Sequence, residues 1–176
     1  MIPYILAYAN DDFRDYLLLP IPILRLFRHQ SIFIRTDRGI KTPADLRGKT
    51  VATVGYSSSG LTHVRGILQE EYGVSPKDIN WISTQKDSAI NLTGGVSNWE
   101  KIRPEGVQII DAEPDEDESS LLISGKVDAI LHPAEPKVFQ DRNPIVVRLF
   151  TDHRSVEKDF YKRTGMFPIM HSVAIK

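Results

Sequence analysis

A recurring order of short apolar strand, polar loop and amphipathic helix is the feature that most constrains the fold of this chain. Residues 49–55 (KTVATVG) form an apolar run, and a helical pattern with one apolar face follows from about Leu61 to Tyr72. Gly73 is placed to end that helix, and residues 78–83 (DINWIS) supply the next strand. This order predicts a largely parallel sheet covered by helices.

Further short elements extend this unit along the chain. Strands are predicted at residues 31–36, 107–111, 127–133, 144–150 and 167–175. Short helices are predicted at residues 42–48, 117–124, 136–142 and 155–163. The acidic run from Asp115 to Glu118 is interpreted as the start of a helix, where carboxylates favour the positive end of the helix dipole. Residues 86–98 are polar and contain Gly94 and Gly95, so a loop or insertion is predicted there.

Composition narrows the class of partner. The 176 residues carry a formal net charge of -1, so no global basic field favours nucleic acid, and a small molecule is expected instead. The absence of cysteine excludes disulfides, thiolate metal sites and a cysteine nucleophile. No apolar run approaches the roughly 18 residues of a membrane span, and the first residues lack a basic region. A cytoplasmic protein without membrane contact is therefore expected.

Three segments carry a resemblance to a known family. They are LFRHQSIFI (26–34), VGYSSSGLTHVRG (54–66) and FPIMHSVAIK (167–176). Together they resemble the 4,5-dihydroxyphthalate decarboxylases, enzymes on the two-lobed type 2 periplasmic-binding-protein scaffold. The similarity extends from about Pro20 to Lys176, although part of it is shared with the wider binding-protein superfamily.

The resemblance implies an α/β fold in which two lobes are joined by crossing strands and ligand lies in the cleft between them. By this analogy, residues 1–35 are part of the first lobe and a crossover. Residues 36–145 are the second lobe, nearly complete, and residues 146–176 are a return crossover with part of the first lobe. Most of the first lobe is then expected to be missing. Such a lobe would expose apolar sheet, so a homo-oligomer is expected.

The implied reaction is non-oxidative loss of carbon dioxide from a hydroxylated aromatic carboxylate, such as 4,5-dihydroxyphthalate, to give protocatechuate. The site then needs a cation for the retained carboxylate, an acid to protonate carbon and an acceptor for the phenol. Arg28 and Arg65 suit the first task, because guanidinium binds carboxylate in a two-pronged geometry. A surface or interlobe salt bridge is the alternative for both residues.

The loop between the strand at 49–55 and the following helix is the second candidate for substrate binding. The resemblance brings Tyr56, Ser57, Ser58 and Ser59 to the substrate, and hydroxyl and N–H groups before a helix suit an anion. Simple helix capping is the alternative. The family pattern expected at these positions is Tyr-Gln-Met-Thr, so this chain departs from it where substrate would be read.

Histidines are the candidates for proton transfer. His29 and His171 come first, since imidazole titrates near neutral pH and both lie in segments that carry the resemblance. From spacing alone, each would be a structural histidine. His132 ranks third because it ends a buried strand, where open α/β sheets place ligands. His63 and His153 are expected to face solvent.

Neither a metal nor a cofactor is predicted. The sequence has no His-Glu-x-x-His motif, and no tight carboxylate–histidine cluster is visible in it. The competing function is a binding protein of the same fold that carries a small anion without chemistry. An inactive fragment with an incomplete cleft is a third possibility.

Overall fold

A computed structural model of the chain describes residues 1–89 and 103–176. Of the polar loop predicted at 86–98, only residues 86–89 are included, and Gly94 and Gly95 lie outside the described residues. The helices are α1 (Ile2–Asn10), α2 (Ser59–Tyr72), α3 (Glu118–Ser124), α4 (Lys137–Gln140) and α5 (His153–Thr164). The strands are β1 (Leu17–Arg25), β2 (Ile32–Arg35), β3 (Thr50–Val54), β4 (Asn80–Thr84), β5 (Ile109–Asp111), β6 (Ala129–Leu131), β7 (Val146–Arg148) and β8 (Ile169–Ile175). Within these ranges, no helix has the length and apolar character that a membrane crossing requires.

Six strands form one mixed sheet in the order β5-β4-β3-β6-β2-β7. Strand β3 pairs in parallel with both β4 and β6, and β5 pairs in parallel with β4. Strand β2 runs antiparallel to β6 and β7. The carboxyl ends of β3, β4 and β6 and the start of β2 therefore lie at the same edge, which we call the carboxyl edge.

Hydrophobic clusters cover both faces of this sheet. On one face, Leu68 of α2 packs in a cluster with Val51 and Trp81. On the other face, Leu122 of α3 packs in a cluster with Ala52. Neighbouring residues of β3 join different clusters because successive side chains of a strand point to opposite faces.

The boundaries of the two main helices follow local sequence signals. Helix α2 ends at Gly73, whose φ of 65° is a left-handed conformation that glycine adopts without strain. Helix α3 begins after Asp117, whose carboxylate accepts a hydrogen bond from the Ser120 N–H at 2.8 Å. The interpretation of the acidic run as a helix start is confirmed.

Strands β1 and β8 form a separate antiparallel ribbon, which we call the terminal ribbon. The sequence pattern predicts β8 but not β1, because Pro20 and Pro22 interrupt the run of backbone donors. In a two-stranded ribbon both strands are edges, where proline is tolerated. Helix α1 was also absent from the predicted elements.

The predicted division into residues 1–35, 36–145 and 146–176 falls at β2 and β7. These two strands pair with each other within the six-stranded sheet. The terminal ribbon lies outside both boundaries. The three-part division itself stays a prediction.

The sheet offers a matched pair of isoleucines for a stability measurement. Ile130 lies fully buried in the central strand β6, whereas Ile110 in the edge strand β5 is 63% exposed. We expect Ile130→Ala to lower the free energy of unfolding by about 2–5 kcal/mol, because it leaves a cavity. Ile110→Ala should change it by less than about 0.5 kcal/mol. Equal losses in urea-induced unfolding would contradict this packing.

Candidate active site

Arg28 lies buried at the carboxyl edge, just before β2. Its Nη1 donates to the carbonyl oxygen of Pro133 at 2.6 Å, and its Nε lies 3.3 Å from the sulfur of Met170. Burial lowers the pKa of Arg28, and the negative charge of Glu157 opposes that shift. In the part of the chain that the structure describes, no carboxylate forms an ion pair with this guanidinium. The alternative of a salt bridge is therefore not seen for Arg28 within those residues.

The first turn of α2 packs against this cation. A Cβ atom added to Gly60 would stand 3.0 Å from Cζ of Arg28. Ser58 is the N-cap residue of α2, but its side chain makes no capping hydrogen bond. Because the first N–H groups of a helix have no partner within the helix, they favour an anion. A cation and helix N–H groups therefore lie side by side here.

The rest of the serine loop is largely covered. Ser57 and Ser59 are buried, whereas Ser58 is half-buried. The Oγ of Ser59 accepts a hydrogen bond from the N–H of Ile2 at 2.9 Å. Ser58 is thus the most exposed of the three serines.

Arg65 supports this loop from the interior. Its guanidinium lies 3.8 Å from the centre of the Tyr56 ring, and its Nη2 donates to the Tyr56 carbonyl oxygen at 2.5 Å. The same nitrogen donates to Oγ1 of Thr62 at 3.1 Å. Burial raises the pKa of Tyr56, and the charge of Arg65 opposes that shift. These contacts fix the loop backbone ahead of α2.

Three titratable side chains meet at the same edge from separate elements. His132 follows β6, Asp87 follows β4 and Glu118 begins α3. Nε2 of His132 lies 2.9 Å from Oδ1 of Asp87 and 3.6 Å from Oε1 of Glu118. The expectation that the chain has no tight carboxylate–histidine cluster is therefore wrong. Neither carboxylate has a fixed sequence spacing from the histidine, so no motif could identify the cluster.

The tautomer of His132 decides what this cluster can bind. The N–H of Ala134 donates to Nδ1 at 3.0 Å, so Nδ1 is an acceptor and the neutral ring carries its hydrogen on Nε2. That hydrogen points to Asp87. Two carboxylates and a histidine would suit a divalent cation by number and type. However, a metal-bound histidine ordinarily donates through its other ring nitrogen, which the N–H of Ala134 prevents here.

Two serines continue the network behind Glu118. The N–H of Val138 donates to Oγ of Ser119 at 3.2 Å, and Ser119 donates to Oγ of Ser88 at 2.8 Å. Ser88 in turn donates to Glu118 through its hydroxyl and, at 3.2 Å, through its backbone N–H. The buried carboxyl group is thus held by several donors, as a buried polar group requires.

Burial and like charge shift the pKa values of this cluster. Burial raises the pKa of Glu118, while His132 and Ser88 oppose that shift. Burial lowers the pKa of His132, but the hydrogen bond with Asp87 and the charge of Glu118 raise it by more. The shift of Glu118 thus comes mainly from burial, whereas that of His132 comes from its two carboxylate neighbours.

The other predicted histidines lie in different surroundings. His29 is buried, and its ring centre lies 5.2 Å from that of Phe160 and 5.5 Å from that of Phe150. Burial lowers its pKa to about 4. His171 is exposed on β8, where partial burial, the amino terminus and Arg28 lower its pKa. The structure brings neither ring into the cluster with His132.

His63 and His153 differ from expectation. Both were expected to face solvent, but both are half-buried. This burial lowers the pKa of His63.

Comparisons with known proteins show what this chain is similar to. A family model described as NMT1/THI5 like matches residues 23–105. The 4,5-dihydroxyphthalate decarboxylase of Comamonas testosteroni is 35% identical over 164 residues, which cover 92% of this chain and 48% of that protein. The predicted resemblance to the 4,5-dihydroxyphthalate decarboxylases is confirmed. A protein of the same name from Pseudomonas putida is 33% identical over 147 residues, covering 84% of this chain and 55% of its own. The chain spans about half the length of these decarboxylases.

A solved structure supports the fold. The periplasmic aliphatic sulphonate binding protein SsuA from Escherichia coli matches with a TM-score of 0.50 at 20% identity. The match covers 93% of this chain and 47% of that protein. The predicted periplasmic-binding-protein-like α/β fold is confirmed, and the chain holds one lobe of it.

The surroundings of His29 predict how stability depends on pH. The pKa of this ring is about 4 in the folded chain, against an ordinary value of 6.5. The unfolded chain therefore binds the proton first, and stability should fall as the pH decreases from about 6.5 to about 4. We expect His29→Phe to flatten this dependence of the melting temperature, whereas His171→Gln should leave it nearly as steep. An unchanged slope in His29→Phe would contradict a neutral, buried His29.

Proposed function

We propose that this chain carries the substrate site of an enzyme that removes carbon dioxide from a hydroxylated aromatic carboxylate, such as 4,5-dihydroxyphthalate, to give protocatechuate. The observation that carries this proposal is the 35% identity, over 92% of the chain, to a protein named for that decarboxylation. The geometry at the carboxyl edge then supplies roles for individual residues.

Arg28 and the first turn of α2 form the subsite for the retained carboxylate. The guanidinium has no carboxylate partner among the described residues, and it packs against Gly60 beside the uncapped helix start. A guanidinium and helix N–H groups both favour a carboxylate. Ser57, Ser58 and Ser59 add hydroxyl groups there, and Arg65 acts by holding the Tyr56 carbonyl that precedes them.

The titratable cluster lies next to this subsite. Arg28 binds the carbonyl of Pro133, and Asp87 binds the ring of His132, the preceding residue. Because Pro133 and His132 are consecutive, both contacts lie at the carboxyl edge, where we place the aromatic diacid. Of the three predicted proton-transfer histidines, His132 is the one that lies in a cluster with carboxylates. Catalytic roles for His29 and His171 stay predictions.

The reaction requires two things from the protein, which are a positive charge at the retained carboxylate and one proton. A proton adds to the ring carbon that bears the departing carboxylate, the bond to that carboxylate breaks, and its electron pair restores aromaticity. The ring hydroxyl para to this carbon supplies electron density. A fixed cation at the retained carboxylate orients the ring, and a buried acid protonates it.

Substitution of Arg28 tests this proposal. The chain is incubated with 4,5-dihydroxyphthalate while carbon dioxide and protocatechuate are followed. We expect Arg28→Lys to lower kcat/KM about tenfold to a hundredfold, because lysine keeps the charge but loses the two-pronged contact. Gly60→Ala should also raise KM, since its Cβ displaces the guanidinium. The exposed Arg154→Ala is the control and should match the parent.

A binding protein of the same fold is the alternative function. The uncapped start of α2 beside Arg28 would hold a small anion without any chemistry. Calorimetric binding of 4,5-dihydroxyphthalate without product would favour this alternative, and turnover by the parent would reject it. The expected cytoplasmic location of the enzyme stays a prediction.

We also propose that the chain self-associates through the terminal ribbon. Strand β1 exposes large apolar side chains, with Leu17 64% and Ile23 63% exposed. Exposed apolar side chains of this size favour association. In sedimentation velocity, we expect the average mass to rise with concentration and Leu17→Ser with Ile23→Ser to shift it towards the monomer. A monomer at every concentration would contradict this proposal.

A further inference from the structure

The cluster formed by Asp87, His132 and Glu118 contains two carboxylates but one neutral ring. The N–H of Ala134 occupies Nδ1, so an imidazolium would bring two hydrogens face to face. The ring therefore cannot balance both carboxylates without losing that hydrogen bond. Two adjacent carboxylates in a buried site share a proton for the same electrostatic reason.

Two lysines close to the cluster in the sequence contact other groups. Nζ of Lys86 donates to the carbonyl oxygen of Asp115 at 3.4 Å. Nζ of Lys137 forms an ion pair with Asp141 at 2.8 Å. Within the described ranges, no lysine or arginine forms an ion pair with Glu118. Among the described residues, Glu118 is therefore compensated by His132 and by hydrogen bonds from Ser88.

We propose that the Asp87–His132–Glu118 cluster holds one extra proton at neutral pH, and that Asp87 delivers it to the aromatic ring. This inference rests on the proposed decarboxylation and names the acid for it. Asp87 is then the catalytic residue that touches substrate, whereas His132 and Glu118 are positioning residues behind it.

Differences in exposure identify Asp87 as the residue that passes the proton to substrate. Among these three described side chains, those of His132 and Glu118 are 0% exposed and that of Asp87 is 9% exposed. A substrate in the cleft can therefore reach Asp87 without a rearrangement of the other two. His132 cannot contact substrate directly, although its place at the end of β6 suggested that role.

Glu118 is the residue that holds the extra proton of the cluster. Burial is the largest influence on its pKa and raises it, and the nearby charge of Asp87 raises it further. Its Oε1 accepts the hydroxyl hydrogen of Ser88. Its second oxygen accepts the Ser88 N–H at 3.3 Å and can still carry the proton, because a carboxylic acid keeps acceptor capacity while it donates.

The proton-transfer step balances in atoms and electrons. The cluster gives one proton to the ring carbon that bears the departing carboxylate. The bond between that carbon and the carboxylate then breaks, its electron pair returns to the ring, and carbon dioxide leaves. A proton from water restores the cluster through Asp87, so the reaction consumes one proton and needs no oxidant or reductant.

An infrared measurement tests proton storage without relying on activity. Spectra are recorded at pH 7 with the carboxyl carbons of glutamate labelled with carbon-13. We expect a protonated glutamic acid band that shifts with the label and disappears in Glu118→Gln. Glu157→Gln is the matched control, since burial also raises the pKa of Glu157, and the band should persist there. A parent protein without this band would overturn the proposal.

Kinetics test delivery by Asp87. We expect Asp87→Asn to lower kcat about a hundredfold or more, as loss of a general acid does, while KM changes little. In Glu118→Gln, the alkaline limb of the profile of kcat against pH should move to lower pH, which a purely structural role would not cause. Asp115→Asn is the exposed control on a neighbouring loop and should match the parent. Full activity in Asp87→Asn would overturn delivery.

The remaining outcomes separate this proposal from its alternatives. If the parent gives no product, the proposed function and proton delivery both fail, and the infrared band alone decides whether the cluster stores a proton. If Glu118→Gln does not fold, the carbon-13 shift in the unaltered protein still decides storage. Stoichiometric zinc binding that depends on His132 would overturn the proposal, because the metal would take the place of the proton.

Discussion

The parallel pairing of β3 with both β4 and β6 determines where the candidate functional groups lie. It brings the loop after β3, Asp87 after β4 and His132 after β6 to one edge of the sheet. The antiparallel strand β2 begins at this edge and brings Arg28 with it. Buried apolar side chains on both faces hold these strands in register, so the packing of the core fixes the positions of the site residues.

Burying a charged group at this edge costs free energy, and Glu118 and Arg28 are compensated by different contacts. Glu118 receives hydrogen bonds from Ser88 and lies beside His132. Arg28 instead uses the Pro133 carbonyl and the Met170 sulfur, and the negative charge of Glu157 acts on it without a direct ion pair among the described residues. A buried cation of this kind is poorly compensated and attracts an anion. The two sites thus differ in how much of their charge the protein balances itself.

Much of the fold was predictable because its signals are local. The apolar run at 49–55 and the periodic pattern up to Tyr72 are read within one window, and Gly73 marks the end of the helix. Strand β1 was missed because Pro20 and Pro22 are tolerated only in an edge strand, a property of the tertiary structure.

The candidate site was predictable only in part, for the same reason. His132 was identified because it follows a buried strand. Asp87 and Glu118 gave no such signal: one lies in a polar loop, and the other resembles any helix-starting carboxylate. The buried surroundings of His29 could not be predicted either, because its aromatic neighbours Phe150 and Phe160 come from distant parts of the chain.

Arg28 contacts three separate parts of the molecule. Its guanidinium touches Pro133 beyond the sheet, Gly60 at the start of α2 and Met170 in the terminal ribbon. A displacement of the ribbon relative to the sheet would therefore pull on the same cation that faces the helix start. The position of β8 is in this way coupled, through Met170, to the guanidinium that packs against the first turn of α2.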